Sequence, residues 1–316
     1  MTAYLFSRVG HSLLTLFVIL TIAFVIIRVA PGGPEVILGG EELSAEDIAR
    51  FRTSLGLDQP LHVQYFKWML ALARGDLGRS YMEHRPVLDV IVQRLPNTML
   101  LTTTAFVLGL LISIPLGVFS AVKPRSLLDY GITMFTMVGI SMPVFWLGIL
   151  MIIVFAVELR LLPSAGIGAA GEGFDLADRV THLVMPATVL AFYHLAEWTR
   201  YTRASMLDTI GEDYVRTARA KGLPERGVVF KHALRNALIP VVTVIGLSLP
   251  GLVGGAAIVE TVFAWPGMGR LAVTAAFRRD YPVIMGLLVI FSALVILSNL
   301  MIDLLYSYLD PRVRLK

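Results

Sequence analysis

The chain has 316 residues, of which 56% are hydrophobic and 16% charged, and its mean hydropathy is +0.74. Soluble domains carry about a quarter charged residues, so this composition excludes an ordinary soluble protein and indicates a polytopic membrane protein. The sequence contains no cysteine, which excludes disulfides and thiol-ligated metals. Residues 200–235 hold eight Lys/Arg and four Asp/Glu, an excess equal to the whole net charge of +4. Such local charge suits one cytoplasmic face better than a nucleic-acid groove.

Six apolar runs are long enough to cross a membrane core of ~30 Å, which predicts an all-α fold with six transmembrane helices. They are Val9–Ala30, Thr98–Val122, Tyr130–Val157, Leu183–Thr199, Ala237–Val259 and Val283–Tyr306. No small-residue cleavage site follows the first run, so we expect an uncleaved span. Six spans place both termini on one side. Basic residues at Lys123, Arg125, 200–235, Arg312, Arg314 and Lys316 predict that this side is cytoplasmic.

Residues 31–97 then form an extracytoplasmic segment, which we expect to be partly helical. Ser44, with Asp47 three residues later, predicts a capped helix that continues to about Leu55. Pro60 predicts the start of a second, amphipathic helix that ends at Gly75. The later outside loop is rich in Gly and Ala from Ala165 to Gly173, a composition typical of a flexible connection.

The fifth run is the least regular, because glycine and proline recur along it. The positions are Pro240, Gly246, Pro250, Gly251, Gly254 and Gly255. Broken backbone at membrane depth is tolerated only against protein or a water-filled cavity. One interpretation is a kinked helix that lines the gate of a pathway, for which Gly246, Pro250, Gly251, Gly254 and Gly255 are the candidates. The other is close helix packing through small residues.

The block from Glu212 to Pro240 predicts a helix, a turn and a second helix within the cytoplasmic segment 200–236. Tyr214, Val215 and Ala218 give the first helix an apolar face, and Gly222 ends it after a basic last turn. Pro224 suits the first position of the next helix. Its expected apolar stripe comprises Val229, Phe230, Ala233 and Leu234. Such a hairpin fits against a protein partner at the membrane surface. Its arginines are also compatible with a face turned to solvent or to lipid headgroups.

This block resembles the EAA loop of permease subunits of ABC importers, and the whole chain resembles the dipeptide/oligopeptide permease family. The triplet positions of the motif fall on Arg216, Thr217 and Ala218, and its glycine on Gly222, so the usual glutamate is absent. The peptide branch of the family reads RTARAKGL here, as this chain does. Further family-like stretches are APGGP at 30–34, GDLGRS at 75–80, RLPNT at 94–98, VFAWPGMGRL at 262–271, RDYP at 279–282 and LDPRVR at 309–314.

The resemblance implies a single permease domain, 1–316, in the cytoplasmic (inner) membrane of a bacterium or archaeon. It implies a second permease subunit, two ATPase subunits that bind ATP and Mg, an external solute-binding protein and surrounding lipid as partners. No cofactor is expected in this chain. The residues implied to couple it to an ATPase are Asp213, Tyr214, Arg216, Thr217, Ala218, Arg219, Lys221, Gly222, Leu223, Pro224, Arg226 and Phe230. Residues 31–97 are then either a packed cap or a contact for the binding protein.

The sequence also lacks several kinds of chemistry. No lysine follows a glycine in a Gly-x-x-x-x-Gly-Lys-Ser/Thr loop, and neither a His-Glu-x-x-His nor a Gly-x-Ser-x-Gly motif is present, so we expect no enzyme activity. His194 is the only titratable residue expected at membrane depth, as a packed side chain or a proton relay. A secondary transporter would require buried charge and internal repeats. A non-transporting scaffold would leave the irregular fifth run without a role.

Overall fold

The computed structural model describes residues 2–29, 33, 44–168 and 175–309. Helices account for 81% of the chain. Within the described residues there is no strand, only an isolated bridge between Arg79 and Pro86. The helices are α1 (Thr2–Val29), α2 (Ala45–Ser54), α3 (Leu61–Ala73), α4 (Val87–Val122), α5 (Leu127–Ser141), α6 (Val144–Met151), α7 (Leu176–Ile210), α8 (Asp213–Ala220), α9 (Glu225–Gly227), α10 (Leu234–Val262), α11 (Met268–Arg278) and α12 (Tyr281–Leu309). Two π-helical segments, Ile152–Glu158 and Val228–Ala233, continue α6 and α9.

Four helical stretches in the described part of the chain are long and apolar enough to cross a membrane. They are Gly10–Val29, Val87–Val122, Glu225–Ser248 and Tyr281–Leu300. Leu127–Ser141 and Val144–Glu158 make a fifth if they count as one span, bent by 105°. The bend falls at Met142 and Pro143, between α5 and α6. The predicted fourth run, Leu183–Thr199, lies inside α7. This helix is not among the candidate spans, because it contains polar residues such as His194 and Glu197. Length and composition therefore support four or five spans.

The two helices predicted in the segment 31–97 are both present. The Ser44 hydroxyl accepts a hydrogen bond from the Asp47 amide at 3.2 Å, as a helix cap should, and α2 follows directly. Pro60 occupies the N-cap of α3. Gly75 lies just beyond the end of α3 with a φ of +79°, a left-handed conformation that favours glycine. Local sequence signals thus located both helices. The Gly-rich loop at Ala165–Gly173 lies partly outside the described residues.

The chain folds into two compact units, and the prediction of one permease domain remains a prediction. The larger unit comprises Thr98–Pro266 and Ser298–Arg314. Its centre is α7, which packs against α5 and α10 and buries Trp198 completely. A Cβ at Gly117 of α4 would lie only 2.5 Å from the Thr202 Cβ of α7, so these helices approach too closely for any side chain there.

The smaller unit comprises Met1–Asn97, Gly267–Leu297 and Leu315–Lys316. Inside it, the buried Asp280 carboxylate accepts hydrogen bonds from the Ser80 hydroxyl at 2.5 Å and from the Tyr81 and Met82 amides at 3.1 and 3.2 Å. A Cβ at Gly286 of α12 would lie 2.5 Å from Val87 Cγ1. The family-like stretches GDLGRS and RDYP, 200 residues apart in sequence, therefore form one structural unit.

Candidate coupling hairpin

The first helix of the hairpin is α8, Asp213–Ala220, with Glu212 at its N-cap. Val215 and Ala218 are 0% and 5% exposed, whereas Tyr214 is 41% exposed. They pack with Val118 and Ala121 of α4 in one apolar cluster, which also includes Met206 of α7, Val228, Val229, Ala233 and Ala237. Tyr214 therefore belongs to the predicted apolar face of α8 but lies outside the part of it that this chain buries. The buried face fixes α8 to the ends of α4 and α7.

The turn of the hairpin follows the predicted chemistry closely. Gly222 has a φ of +77°, and a Cβ built there would meet no atom within 4 Å. Pro224 occupies the N-cap of α9 rather than its first helical position, so the helix begins one residue later than predicted. The Arg219 guanidinium donates two hydrogen bonds to the Glu225 carboxylate, at 2.8 and 3.2 Å, and these bonds raise the pKa of Arg219. An exposed ion pair thus crosses the turn, and such a pair contributes only about 0 to 1 kcal/mol.

The second helix buries only part of its predicted apolar stripe. Val228, Val229 and Ala233 are buried, but Phe230 is 53% exposed. Residues 228–233 form a π-helix, in which a backbone bond spans five residues instead of four. Phe230 lies outside the apolar cluster that contains its neighbours Val228 and Val229. Phe230 therefore belongs to the predicted apolar stripe but not to the part of it that this chain buries.

The outer surface of the hairpin contains nearly all of the predicted coupling residues. Of that set, only Ala218 is buried; Asp213, Tyr214, Arg216, Thr217, Arg219, Lys221, Gly222, Leu223, Pro224, Arg226 and Phe230 are exposed. Three apolar side chains, Tyr214, Leu223 and Phe230, are at least 41% exposed among these cations. Exposed aromatic and apolar residues with a basic rim are typical of a protein contact surface.

The predicted gate residues lie along α10, which continues as one helix from Leu234 to Val262. Glycine and proline therefore do not end the helix there, and the kink stays a prediction. The intrinsic cost of a single glycine is small, and helix packing in membranes offsets it. Gly246 is buried. The surroundings of Pro250, Gly251, Gly254 and Gly255 fall outside the described residues, so their place in a pathway remains a prediction.

A polar cluster beside the hairpin was not predicted. The Asp129 carboxylate, 4% exposed, accepts hydrogen bonds from Arg203 Nε at 2.7 Å, Arg203 Nη2 at 2.8 Å and the Arg125 amide at 2.9 Å. Ser120 also donates to it. The cluster connects α4, α5 and α7 near the start of the hairpin. The only sequence signal was Ser126 followed three residues later by Asp129, which is the spacing of a helix cap.

The chain matches a family profile described as "Binding-protein-dependent transport system inner membrane component" over residues 113–315. A second profile, described as "Binding-prot-dependent transport system membrane comp, N-term", matches residues 1–102. The chain belongs to this family of binding-protein-dependent transport system inner membrane components. The dipeptide/oligopeptide branch inferred from the motifs agrees with the relatives described next.

Relatives of this transport family match along the full length of the chain. It is 46% identical over 314 residues to the oligopeptide transport system permease protein AppB of Bacillus subtilis (strain 168), covering 99% of each chain. It is 39% identical over 338 residues to the dipeptide transport system permease protein DppB of Escherichia coli (strain K12), covering 100% of both. Among solved structures, inward-facing MetNI methionine ABC transporter matches with a TM-score of 0.58 and 21% identity, over 71% of this chain and 97% of that one. This last similarity concerns the fold alone.

Proposed function

We propose that the chain is a permease subunit of an ATP-driven importer that carries peptides. The relatives named as oligopeptide and dipeptide permeases support the cargo class. The subunit itself is not an enzyme; nucleotide binding and hydrolysis belong to two separate ATPase subunits. A second permease subunit completes the pathway, and an external binding protein delivers the peptide.

The observation that carries the proposal is the two-sided hairpin. Its inner side is buried against α4 and α7, and its outer side presents Tyr214, Leu223 and Phe230 within a basic rim. A helix held by a close-packed cluster moves with the helices beneath it, because packed interfaces switch between arrangements rather than deform. A motion of an ATPase bound to the outer side would therefore reach α4 and α7 directly.

Reconstitution tests the function. The chain, its partner permease and its ATPases, placed in proteoliposomes with the binding protein, should take up a labelled dipeptide or oligopeptide when ATP is enclosed. Uptake should disappear when the ATPase subunits carry a mutated phosphate loop, because this chain has none of its own. Uptake by this chain alone in a proton gradient would instead indicate a secondary transporter. Hairpin binding without any uptake would indicate a scaffold.

The proposal includes six spans with both termini in the cytoplasm, which would make α7 the fourth span. Because the chain has no cysteine, single cysteines can report the topology. His62→Cys should react with an impermeant thiol reagent in intact cells, whereas Lys123→Cys and Thr217→Cys should react only after permeabilisation. All three positions are exposed. Labelling of Thr217→Cys from outside would contradict both the topology and the ATPase contact.

A further inference from the structure

A cavity of about 140 Å³ lies within the smaller unit, at the last turn of α1. Arg28 and Asp76 contribute its charged groups, and its aromatic walls are Phe24, Trp68, Tyr81 and Tyr281. Cavities that hold drug-sized ligands measure about 300–1,000 Å³. This one is therefore too small for a peptide and suits a small charged group.

Arg28 has an unusual environment for a cation. Its guanidinium carbon lies 5.4 Å from the ring centroid of Phe24 and 5.6 Å from that of Tyr281. No carboxylate of the described residues lies within ion-pair distance of it. The neighbouring Tyr81 hydroxyl interacts with the guanidinium, and burial raises the pKa of Tyr81, so this side chain stays neutral. Aromatic faces attract a cation but do not neutralise it, so the positive charge remains available to an anion.

Neither of the two described acids of this region, Asp76 and Asp280, forms an ion pair with Arg28. Asp280 uses its oxygens on Ser80 and on the Tyr81 and Met82 amides. Asp76 accepts from the Gly78 amide at 2.8 Å and is exposed in the cavity wall. The cavity thus offers a cation and a carboxylate at separate points between aromatic rings. That arrangement is complementary to a zwitterion.

We propose that the cavity binds the phosphoethanolamine headgroup of a membrane phospholipid, with its phosphate at Arg28 and its ammonium near Asp76 and the aromatic rings. Arginine binds phosphate oxygens through paired hydrogen bonds, and ammonium groups bind to aromatic faces.

The position of the cavity indicates the bilayer as the source of the ligand. Arg28 is at the end of the apolar stretch Gly10–Val29, and the nearby Val25, Ile26 and Val29 are 51%, 62% and 68% exposed. Arginine and aromatic residues at the end of a span lie at headgroup depth. The proposal rests on α1 crossing the membrane and is independent of the hairpin and of the cargo.

The test measures lipid retention. The full chain, purified with its partner subunits and delipidated in detergent, is titrated with phosphatidylethanolamine or phosphatidylglycerol, and bound lipid is counted by native mass spectrometry. Phosphatidylethanolamine should be retained in preference. Arg28→Gln should weaken its retention about tenfold, as loss of one charge-assisted contact would. Asp76→Asn should remove the preference over phosphatidylglycerol. Arg74→Gln, an exposed arginine outside the cavity wall, is the matched control and should behave like the unaltered chain.

Each outcome decides the proposal. Equal retention by Arg28→Gln and the unaltered chain would overturn it, as would equal binding of the two lipids by the unaltered chain. If Arg28→Gln fails to fold, judged by its thermal unfolding midpoint, the exposed Asp76→Asn variant still tests the zwitterion assignment. Soluble glycerophosphoethanolamine has the headgroup without acyl chains. If glycerophosphoethanolamine binds as tightly as the lipid, the cavity binds a solute, and the proposal that its ligand comes from the bilayer is overturned.

Discussion

Replacing Gly222 by aspartate is expected to weaken ATPase association or uncouple hydrolysis from uptake, while the chain still inserts and folds. Gly222 has a φ of +77°, so a side chain there costs about 1 to 2 kcal/mol of backbone strain. No atom lies within 4 Å of the added Cβ, so the chain itself has room for it. On the proposed docking surface, an extra side chain costs about 1 to 3 kcal/mol by overpacking. ATPase co-purification and peptide uptake, both normalised to membrane abundance, measure the effect.

Two further variants distinguish a lost contact with the ATPase from backbone strain at Gly222. Gly222→Ala introduces at least as much strain with a smaller side chain, and should lower uptake less than aspartate does. Gly75→Asp places the same residue at a φ of +79° with open space around it, on the opposite side of the membrane in the proposed topology. It should leave ATPase association unchanged. Full uptake with Gly222→Asp would show that the hairpin is not the coupling element.

Features with a local cause were predictable from the sequence. The start of α2 follows from Ser44, the start of α3 from Pro60 and the end of α8 from Gly222. Each can be predicted because a cap, a fixed φ or a left-handed residue acts within one helical turn. The exposed basic rim of the hairpin was likewise predicted, since charged side chains remain in water unless paired. The apolar runs predicted the helices, but they did not predict the 105° bend within the third run, Tyr130–Val157.

Features that depend on distant contacts were not predictable. The π-helix at Val228–Ala233 is a shift of one hydrogen-bond register, and no residue in 228–233 requires it. Ser80 and Asp280 are 200 residues apart, so nothing in either motif indicates that they bond. The pairing of Asp129 with Arg203 has the same origin: each residue suits a helix end by itself, and only the packing of α5 against α7 brings them together.

Replacing Arg203 by methionine is expected to lower the free energy of unfolding by about 1 to 3 kcal/mol, less than for a fully buried ion pair because Arg203 is 32% exposed. The reason is that Asp129, only 4% exposed, would keep a negative charge with nothing opposite to it. Ser120 and the Arg125 amide continue to donate hydrogen bonds, which limits the loss. Unfolding of the purified chain by detergent titration in mixed micelles measures the change.

The exposed pair in the hairpin gives the matched control. Arg216 and Asp213 are 3.3 Å apart with side chains 71% and 96% exposed, so Arg216→Met should cost only about 0 to 1 kcal/mol. Adding Asp129→Leu to Arg203→Met should restore part of the lost stability, because the apolar pair leaves no buried charge behind. If the double variant is less stable than either single variant, the dominant contribution is not the unpaired charge but packing or the hydrogen bonds of Asp129. In that case the cluster acts mainly by capping the start of α5, and the electrostatic connection between α5 and α7 is secondary.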